Sequence, residues 1–168
     1  MSAQPEITQQ DLRNKLDTTP SCCGSGSSAV RRGRLDYPAP VLAAGILAAE
    51  GVSFLLVGSA ALWLHGEPIP VGDADVVIEP TEENLHRLGD SLAGFALRHH
   101  EVPRVGALPW LNVLRVVTSY GIVDCLLERG RLDWQKLCQS AVRIPVADVD
   151  VPVAARADVW ALRRRFKG

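Results

Sequence analysis

The sequence lacks a long uninterrupted apolar run, and it does not begin with a basic segment followed by an apolar one. Its most apolar stretch, residues 37–64, is interrupted by Glu50 and Gly51. Neither half reaches the roughly 18 continuous apolar residues that a membrane-spanning helix needs. The polar N-terminus is also unlike a secretory signal peptide. These absences predict a cytoplasmic protein, in which thiols stay reduced.

Cysteine is scarce as well, with four residues in the chain. They form no C-x-x-C pair, and no group of cysteine and histidine residues has the spacing of a zinc site. Cys125 stands inside an apolar run, so we expect it to pack as a small hydrophobic residue. A domain of this length does not need a disulfide or zinc framework to fold.

Neither sign of charge dominates, because 18 basic and 19 acidic residues give a net charge of −1. This balance excludes a strongly basic nucleic-acid coat protein, so any contact with nucleic acid must come from local patches. Apolar residues make up 47% of the 168 residues, which excludes a wholly disordered chain. The length is that of one ordinary domain.

The first 36 residues differ in composition from the rest. The stretch T-T-P-S-C-C-G-S-G-S-S predicts a flexible N-terminal segment over residues 1–36. Residues 37–168 predict an α/β domain, in which a short mixed sheet has helices packed against it. The predicted strands cover 53–57, 73–78, 111–117, 122–127, 142–146 and 149–153, and the predicted helices lie near 42–47, 60–65, 81–92, 132–139 and 157–166.

Three acidic residues in predicted strands are candidates for a metal site. Asp73 and Asp75 are two positions apart, so both side chains point to the same face of their strand. Two like charges held together are costly unless a cation or a proton lies between them. Asp124 stands in the apolar run I-V-D-C-L-L, where a charge needs a partner. If the two strands are neighbours, three carboxylates converge on a site that suits Mg²⁺. The alternative partner for Asp124 is Arg115 on the preceding strand.

The Gly58–Ser59 pair lies between a predicted strand and a short helix. The backbone N–H groups at such a place are free to bind an anion, and the Ser59 hydroxyl adds a donor. Glycine lets a phosphate approach the backbone closely. Ser59 is also typical of a plain helix N-cap, and the two roles are compatible. An anion cradle beside magnesium-binding carboxylates fits chemistry on a nucleoside triphosphate.

Three stretches resemble the nucleotidyltransferase superfamily: F-L-L-V-G-S-A-A-L-W-L-H-G from Phe54, G-D-A-D-V-V-I from Gly72 and V-D-C-L-L from Val123. The hallmark of that superfamily is a G-S turn, then D-x-D, then a third Asp. The H-G pair after the first helix, together with the C-terminal strand and helix, is most similar to the small bacterial branch that contains the AbiEii and MenT-like toxins. The resemblance covers residues 37–163.

The resemblance implies a minimal nucleotidyltransferase fold and a role for each motif. Asp73, Asp75 and Asp124 would hold Mg²⁺, and Asp124 is also a candidate to accept the proton of the attacking hydroxyl. Gly58 and Ser59 would hold the β- and γ-phosphates. The implied activity transfers a nucleoside monophosphate from an NTP to an acceptor hydroxyl and releases pyrophosphate. In the toxin branch that acceptor is a tRNA 3′ end, or a protein for some relatives, and a cognate antitoxin is the implied partner.

Three departures from the family pattern keep other interpretations open. Many relatives have Ser or Thr where this chain has Val71, and many have Lys in the last helix where it has Arg163. Arg163 is a candidate for contact with the triphosphate or with RNA, and the alternative is a solvated helix end. Relatives also often continue beyond the last helix. These departures favour a degenerate member that binds only a nucleotide or a partner. Another alternative is nucleotidylation of a protein or a small molecule.

Overall fold

The computed structural model describes residues 37–97, 112–127 and 132–167. The segment 1–36 lies outside these residues, so its flexibility stays a prediction. The described helices are α1 (Ala39–Ala49), α2 (Gly58–Leu64), α3 (Glu82–Phe95), α4 (Trp134–Ser140) and α5 (Arg156–Lys167). The described strands are β1 (Phe54–Val57), β2 (Asp73–Ile78), β3 (Val113–Thr118), β4 (Gly121–Leu126), β5 (Val142–Val146) and β6 (Val149–Val153).

The described strands form one sheet in the order β3-β4-β2-β1-β6-β5. The pairs β1–β2, β3–β4 and β5–β6 are antiparallel, whereas β2–β4 and β1–β6 are parallel. Helix α1 packs against β2, β4 and β6, and α2 packs against β1, β2 and α5. This is the predicted mixed sheet with helices packed against it.

One face of the sheet supplies most of the hydrophobic core, because alternate side chains of a strand point to the same side. Phe54, Leu56, Val76, Val116, Val123 and Val153 belong to this face, and all are buried. The opposite face of β2 and β4 carries Asp73, Asp75 and Asp124. The face without these charges therefore supplies most of the core, while Leu55, Val57 and Val77 on the acidic side are buried as well.

Residues with known preferences for helix ends (proline, glycine and threonine) mark the boundaries of α1 and the start of α3. Helix α1 begins directly after Pro38 and has a proline in its first turn, where the missing N–H costs nothing. Gly51 follows the helix with a φ of 73°, a left-handed conformation that suits glycine. Helix α3 begins with Thr81, whose hydroxyl accepts a hydrogen bond from the Asn84 amide at 3.3 Å. Each of these three signals is a residue preference that can be recognised in the sequence.

Asn84 has a structural role that sequence patterns did not indicate. Its Oδ1 accepts from the Ser53 amide at 2.7 Å, and its Nδ2 donates to the carbonyls of Ser53 and Glu79 at 2.7 and 3.1 Å. The side chain is buried, and these bonds satisfy its polar atoms. Asn84 thus ties the first turn of α3 to the chain segments beside β1 and β2.

The start of α2 differs from the sequence prediction. A turn at residues 58–59 with a helix from residue 60 was expected, but α2 begins at Gly58 itself. Val57 is the N-cap, and it provides no side-chain cap, so the interpretation of Ser59 as the N-cap is wrong. The left-handed φ of 68° at Gly58 allows the strand to turn into the helix without intervening residues.

None of the described helices has both the length and the apolar character required to cross a membrane.

Candidate functional site

The carboxylates of Asp73, Asp75 and Asp124 come together on one face of the sheet. Strands β2 and β4 pair in parallel, with Asp75 directly opposite Asp124. Asp73 precedes Asp75 by two positions and therefore shares its face. One carboxylate oxygen from each residue lies within 4.8 Å of the others. The three carboxylates were expected to converge if their two strands were neighbours, and the structure confirms both the pairing and the convergence.

The surroundings of Asp75 disfavour its ionised form. Burial raises its pKa from 3.8 to about 6, and the negative charges of Asp73 and Asp124 act in the same direction. Arg115 and Arg163 oppose this shift through their positive charges. Burial and repulsion both disfavour the ionised form of Asp75, and a proton or a metal cation bound at the cluster would relieve them.

Asp124 forms a two-point ion pair with Arg115 on the adjacent antiparallel strand. Arg115 Nε donates to Oδ1 at 2.7 Å, and Nη2 donates to Oδ2 at 2.6 Å. The Asp124 side chain is only 8% exposed, whereas that of Arg115 is 62% exposed. The two interpretations offered for Asp124, as part of an acidic cluster and as the partner of Arg115, therefore both describe its surroundings.

Gly58 and Asp75 approach each other so closely that only glycine fits at position 58. A Cβ atom there would lie 1.9 Å from Asp75 Oδ2 and 2.8 Å from Cγ. Strand pairing explains the approach, because Val57 lies opposite Asp75 in the β1–β2 ladder. From the sequence, Gly58 is expected to let a phosphate approach the backbone closely. The structure shows that the space of the missing side chain is filled by the Asp75 carboxylate.

A cleft of about 470 Å³ joins the acidic cluster to the start of α2 and to α5. Its polar lining consists of Gly58, Ser59, Asp73, Asp75 and Arg163. Its apolar lining includes Val113, Leu126, Leu132 and Leu162, which the sequence analysis did not select. Their placement at the cleft depends on which strands and helices are neighbours, and local sequence patterns do not show this.

Arg163 reaches this cleft from α5, where its guanidinium lies 5.7 Å from the ring centroid of Trp160. Such a cation–π contact restrains the arginine while leaving its N–H donors available. The lining of one cleft thus contains five of the six residues that the sequence analysis selected. The sixth, Asp124, lies beside the cleft, where it contacts Arg115 and neighbours Asp75.

Two contacts fix the segment that leads into β2. His65 Nε2 lies 2.8 Å from the carbonyl oxygen of Ala154, just before α5. Arg156, at the start of α5, donates from Nε to Glu67 Oε1 at 2.7 Å and also pairs with it through Nη2. These contacts join the end of α2 to the start of α5, the two helices whose residues line the cleft. His65 thus contributes to the packing between these two helices.

The donor set fits a hard divalent cation. All three candidate ligands are carboxylate oxygens. Mg²⁺, Mn²⁺ and Ca²⁺ prefer oxygen ligands, whereas zinc and copper sites typically include histidine or cysteine. Burial is the largest cause of the raised pKa of Asp75, and repulsion from Asp73 and Asp124 adds to it. A divalent cation would supply the missing positive charge.

Comparison with known proteins supports the assignment of the fold. No protein-family model matches the chain, and no curated protein matches it either. Among solved structures, the chain is similar to a Thermotoga maritima protein provisionally described as a nucleotidyltransferase. The TM-score is 0.53 at 15% sequence identity, and the match covers 74% of this chain and 80% of that one. At this identity the similarity shows that the two chains share a fold.

Proposed function

We propose that this protein is a metal-dependent nucleotidyltransferase that moves a nucleoside monophosphate from an NTP to an acceptor hydroxyl. The observation that carries the proposal is the convergence of three carboxylates, within 4.8 Å of one another, beside a cleft lined by Gly58, Ser59 and Arg163. The shared fold with a protein described as a nucleotidyltransferase supports it.

Each part of the site has a role in this proposal. Asp73, Asp75 and Asp124 hold Mg²⁺, which when bound offsets the charge of the triphosphate and favours an ionised acceptor oxygen. Gly58, Ser59 and Arg163 bind the phosphates. Helix α2 has no side-chain cap, so its first N–H groups are available to phosphate oxygens.

The reaction itself is an exchange of two phosphorus–oxygen bonds. The acceptor oxygen forms a bond to the α-phosphorus, the bond from that phosphorus to the bridging oxygen of the β-phosphate breaks, and pyrophosphate leaves. The protein contributes positioning and charge compensation, which provide most of the catalysis in phosphoryl-type transfer. The acceptor proton passes to Asp124 or to water.

The finer identity of the acceptor comes from the resemblance to the toxin branch. That resemblance favours a tRNA 3′ end as acceptor and a cognate antitoxin as protein partner. The G-S, D-x-D and third-Asp motifs carry it, together with the strand and helix at the end of the chain. Protein and small-molecule hydroxyls are the competing acceptors.

The test is incorporation of radiolabel from each of the four α-labelled NTPs, with total tRNA, total protein and a small-molecule extract offered separately. Wild type is expected to label one acceptor class and to release pyrophosphate. Asp73→Asn and Asp75→Asn should lower the rate by about 100-fold or more, because each removes a ligand of the cation whose positive charge would stabilise the transition state. Asp90→Asn, an exposed change on α3, is the matched control and should retain activity. Equal incorporation by all four proteins would defeat the proposal.

A nucleotide-binding protein without transferase activity is the second candidate. It is favoured by the two-point pairing of Asp124 with Arg115, which engages both oxygens of the third carboxylate. It is also favoured by Val71, which packs against the core where many relatives have a hydroxyl residue. Calorimetry separates the candidates, since Mg²⁺-dependent NTP binding without pyrophosphate release would support this second function.

A further inference from the structure

Arg115 holds the third carboxylate of the site by two hydrogen bonds at once. Its Nε and Nη2 atoms meet separate oxygens of Asp124 at 2.7 and 2.6 Å. Paired N–H donors that match a carboxylate in this way fix its orientation as well as its distance. The β3–β4 register supports the geometry, because Arg115 and Asp124 lie directly opposite each other.

The exposure of the two partners indicates what the pair does. Asp124 is nearly buried, but 62% of the Arg115 side chain is exposed. Water screens an ion pair with so exposed a partner, so the pair contributes little to overall stability. Its structural consequence is a single orientation for Asp124, whose neighbour across the β2–β4 pairing is Asp75.

The pairing leaves Asp124 able to bind a cation. A carboxylate has about four lone-pair positions on its two oxygens, and the Arg115 fork uses one on each oxygen. An Asp124 oxygen lies within 4.8 Å of oxygens of Asp73 and Asp75. Asp124 is thus able to accept from Arg115 and to face a shared cation at the same time.

We propose that Arg115 is a positioning residue for the metal site, which holds Asp124 in the orientation needed to complete a three-carboxylate cation site. This inference rests on the proposed function, because it assigns Arg115 to the same site. Arg115 is not among the residues that line the cleft, so it acts through Asp124 rather than through the substrate. Groups that orient a metal ligand typically change metal affinity or activity by about 10- to 100-fold when removed.

The test is Arg115→Lys, which retains the positive charge but loses the planar two-point fork. The affinity for Mn²⁺, measured by electron paramagnetic resonance titration without nucleotide, should fall by about tenfold or more. In the transferase assay, kcat should fall by a similar factor while KM for the NTP changes little. Arg87→Lys is the matched control, because Arg87 donates to Glu83 at 2.7 Å on the surface of α3. That variant should bind Mn²⁺ and turn over like wild type.

The outcomes separate this inference from the proposed function. Wild-type Mn²⁺ affinity and kcat in Arg115→Lys would overturn the positioning role and leave the proposed function standing. A lower melting temperature with unchanged affinity and kcat would also overturn it, since the pair would then be structural only. A wild-type protein that neither binds Mn²⁺ nor transfers nucleotide would overturn both. If wild type binds Mn²⁺ without turnover, the comparison of Mn²⁺ affinity between wild type and Arg115→Lys still decides the positioning role.

Discussion

Strands β2 and β4 build two unlike faces from alternate residues of the same short segments. On one face Ala74, Val76, Val123 and Cys125 are fully buried in the core. On the other, one position away, stand Asp73, Asp75 and Asp124. The comparison shows how a strand six residues long serves stability and chemistry together, because its two faces have separate surroundings.

The two faces also contribute to the free energy of folding with opposite signs. Burial of the apolar face stabilises the fold by roughly 25 cal/mol for each Å² removed from water. The acidic face works against folding, since burial and mutual repulsion raise the pKa of Asp75 to about 6. Groups in such unfavourable surroundings are commonly functional, and here the adjacent core holds them in place.

The largest expected effect comes from moving a carboxylate to the wrong face. Ala74→Asp places a charge in a fully buried position next to Asp75, on the face that the apolar core covers. An uncompensated buried charge costs about 3–5 kcal/mol, so the variant should be largely unfolded in urea titrations that leave wild type folded. Asp75→Asn, one position along, should unfold like wild type or at higher urea. A native-like Ala74→Asp protein would show that the two faces are not distinct.

The next largest effect is expected at Gly58, the first residue of α2, which packs against the Asp75 carboxylate. Gly58→Ala should abolish Mn²⁺ binding, because the new Cβ would lie 1.9 Å from Asp75 Oδ2 and must displace the carboxylate. The positive φ adds about 1–2 kcal/mol of destabilisation, measurable by chemical unfolding.

Two glycines provide controls that separate these contributions. Gly66 has a φ of 88°, and a methyl group added there would meet nothing within 4 Å, so Gly66→Ala should lose stability but keep Mn²⁺ binding. At Gly72 a methyl group would likewise meet nothing within 4 Å, and Gly72→Ala should be nearly neutral in both assays. Unchanged Mn²⁺ binding in Gly58→Ala would contradict the packing of Asp75 against the backbone.

A smaller effect is the pH dependence of the metal-free protein. The folded-state pKa of Asp75 is raised from 3.8 to about 6, so in this window the folded state binds more protons than the unfolded state. Stability contributed by this group therefore rises as pH falls from about 7 to 4, by at most about 3 kcal/mol. Urea titrations in chelator should show this slope in wild type relative to Asp75→Asn. Parallel pH profiles of the two proteins would contradict it.

The smallest effect concerns access to the buried face. Burial raises the pKa of the Cys125 thiol to about 12, whereas Cys138 is exposed. In a background with Cys22→Ser and Cys23→Ser, a maleimide should modify Cys138 in the native protein and both remaining thiols in denaturant. Mass spectrometry gives the number of labels. Rapid native modification of Cys125 would show that the core face opens to solvent.

Local patterns in the sequence were sufficient for much of this architecture. The two-residue spacing of Asp73 and Asp75 placed them on one face, since strand periodicity is local. The pairing of Arg115 with Asp124 was also foreseeable, because two strands joined by a short turn fix their own register. The capping of α3 by Thr81 followed from residue preference alone.

Pairing between strands that are distant along the chain could not be predicted from such local patterns. The parallel neighbours β2 and β4 are separated along the chain by α3 and β3, so their adjacency depends on the whole topology. The contact of Gly58 with Asp75 depends on the β1–β2 register across the segment 65–72. The apolar wall formed by Val113, Leu126, Leu132 and Leu162 likewise combines residues from separate elements.

The central claim is that the three carboxylates hold a divalent cation, and direct Mn²⁺ titration of the full chain tests it most simply. Wild type and Asp90→Asn should bind Mn²⁺ saturably with the same affinity. Asp73→Asn, Asp75→Asn and Asp124→Asn should each lose about tenfold or more, because each removes one oxygen ligand of the same cluster. Absent binding in wild type, or equal affinity across all five proteins, would contradict the account.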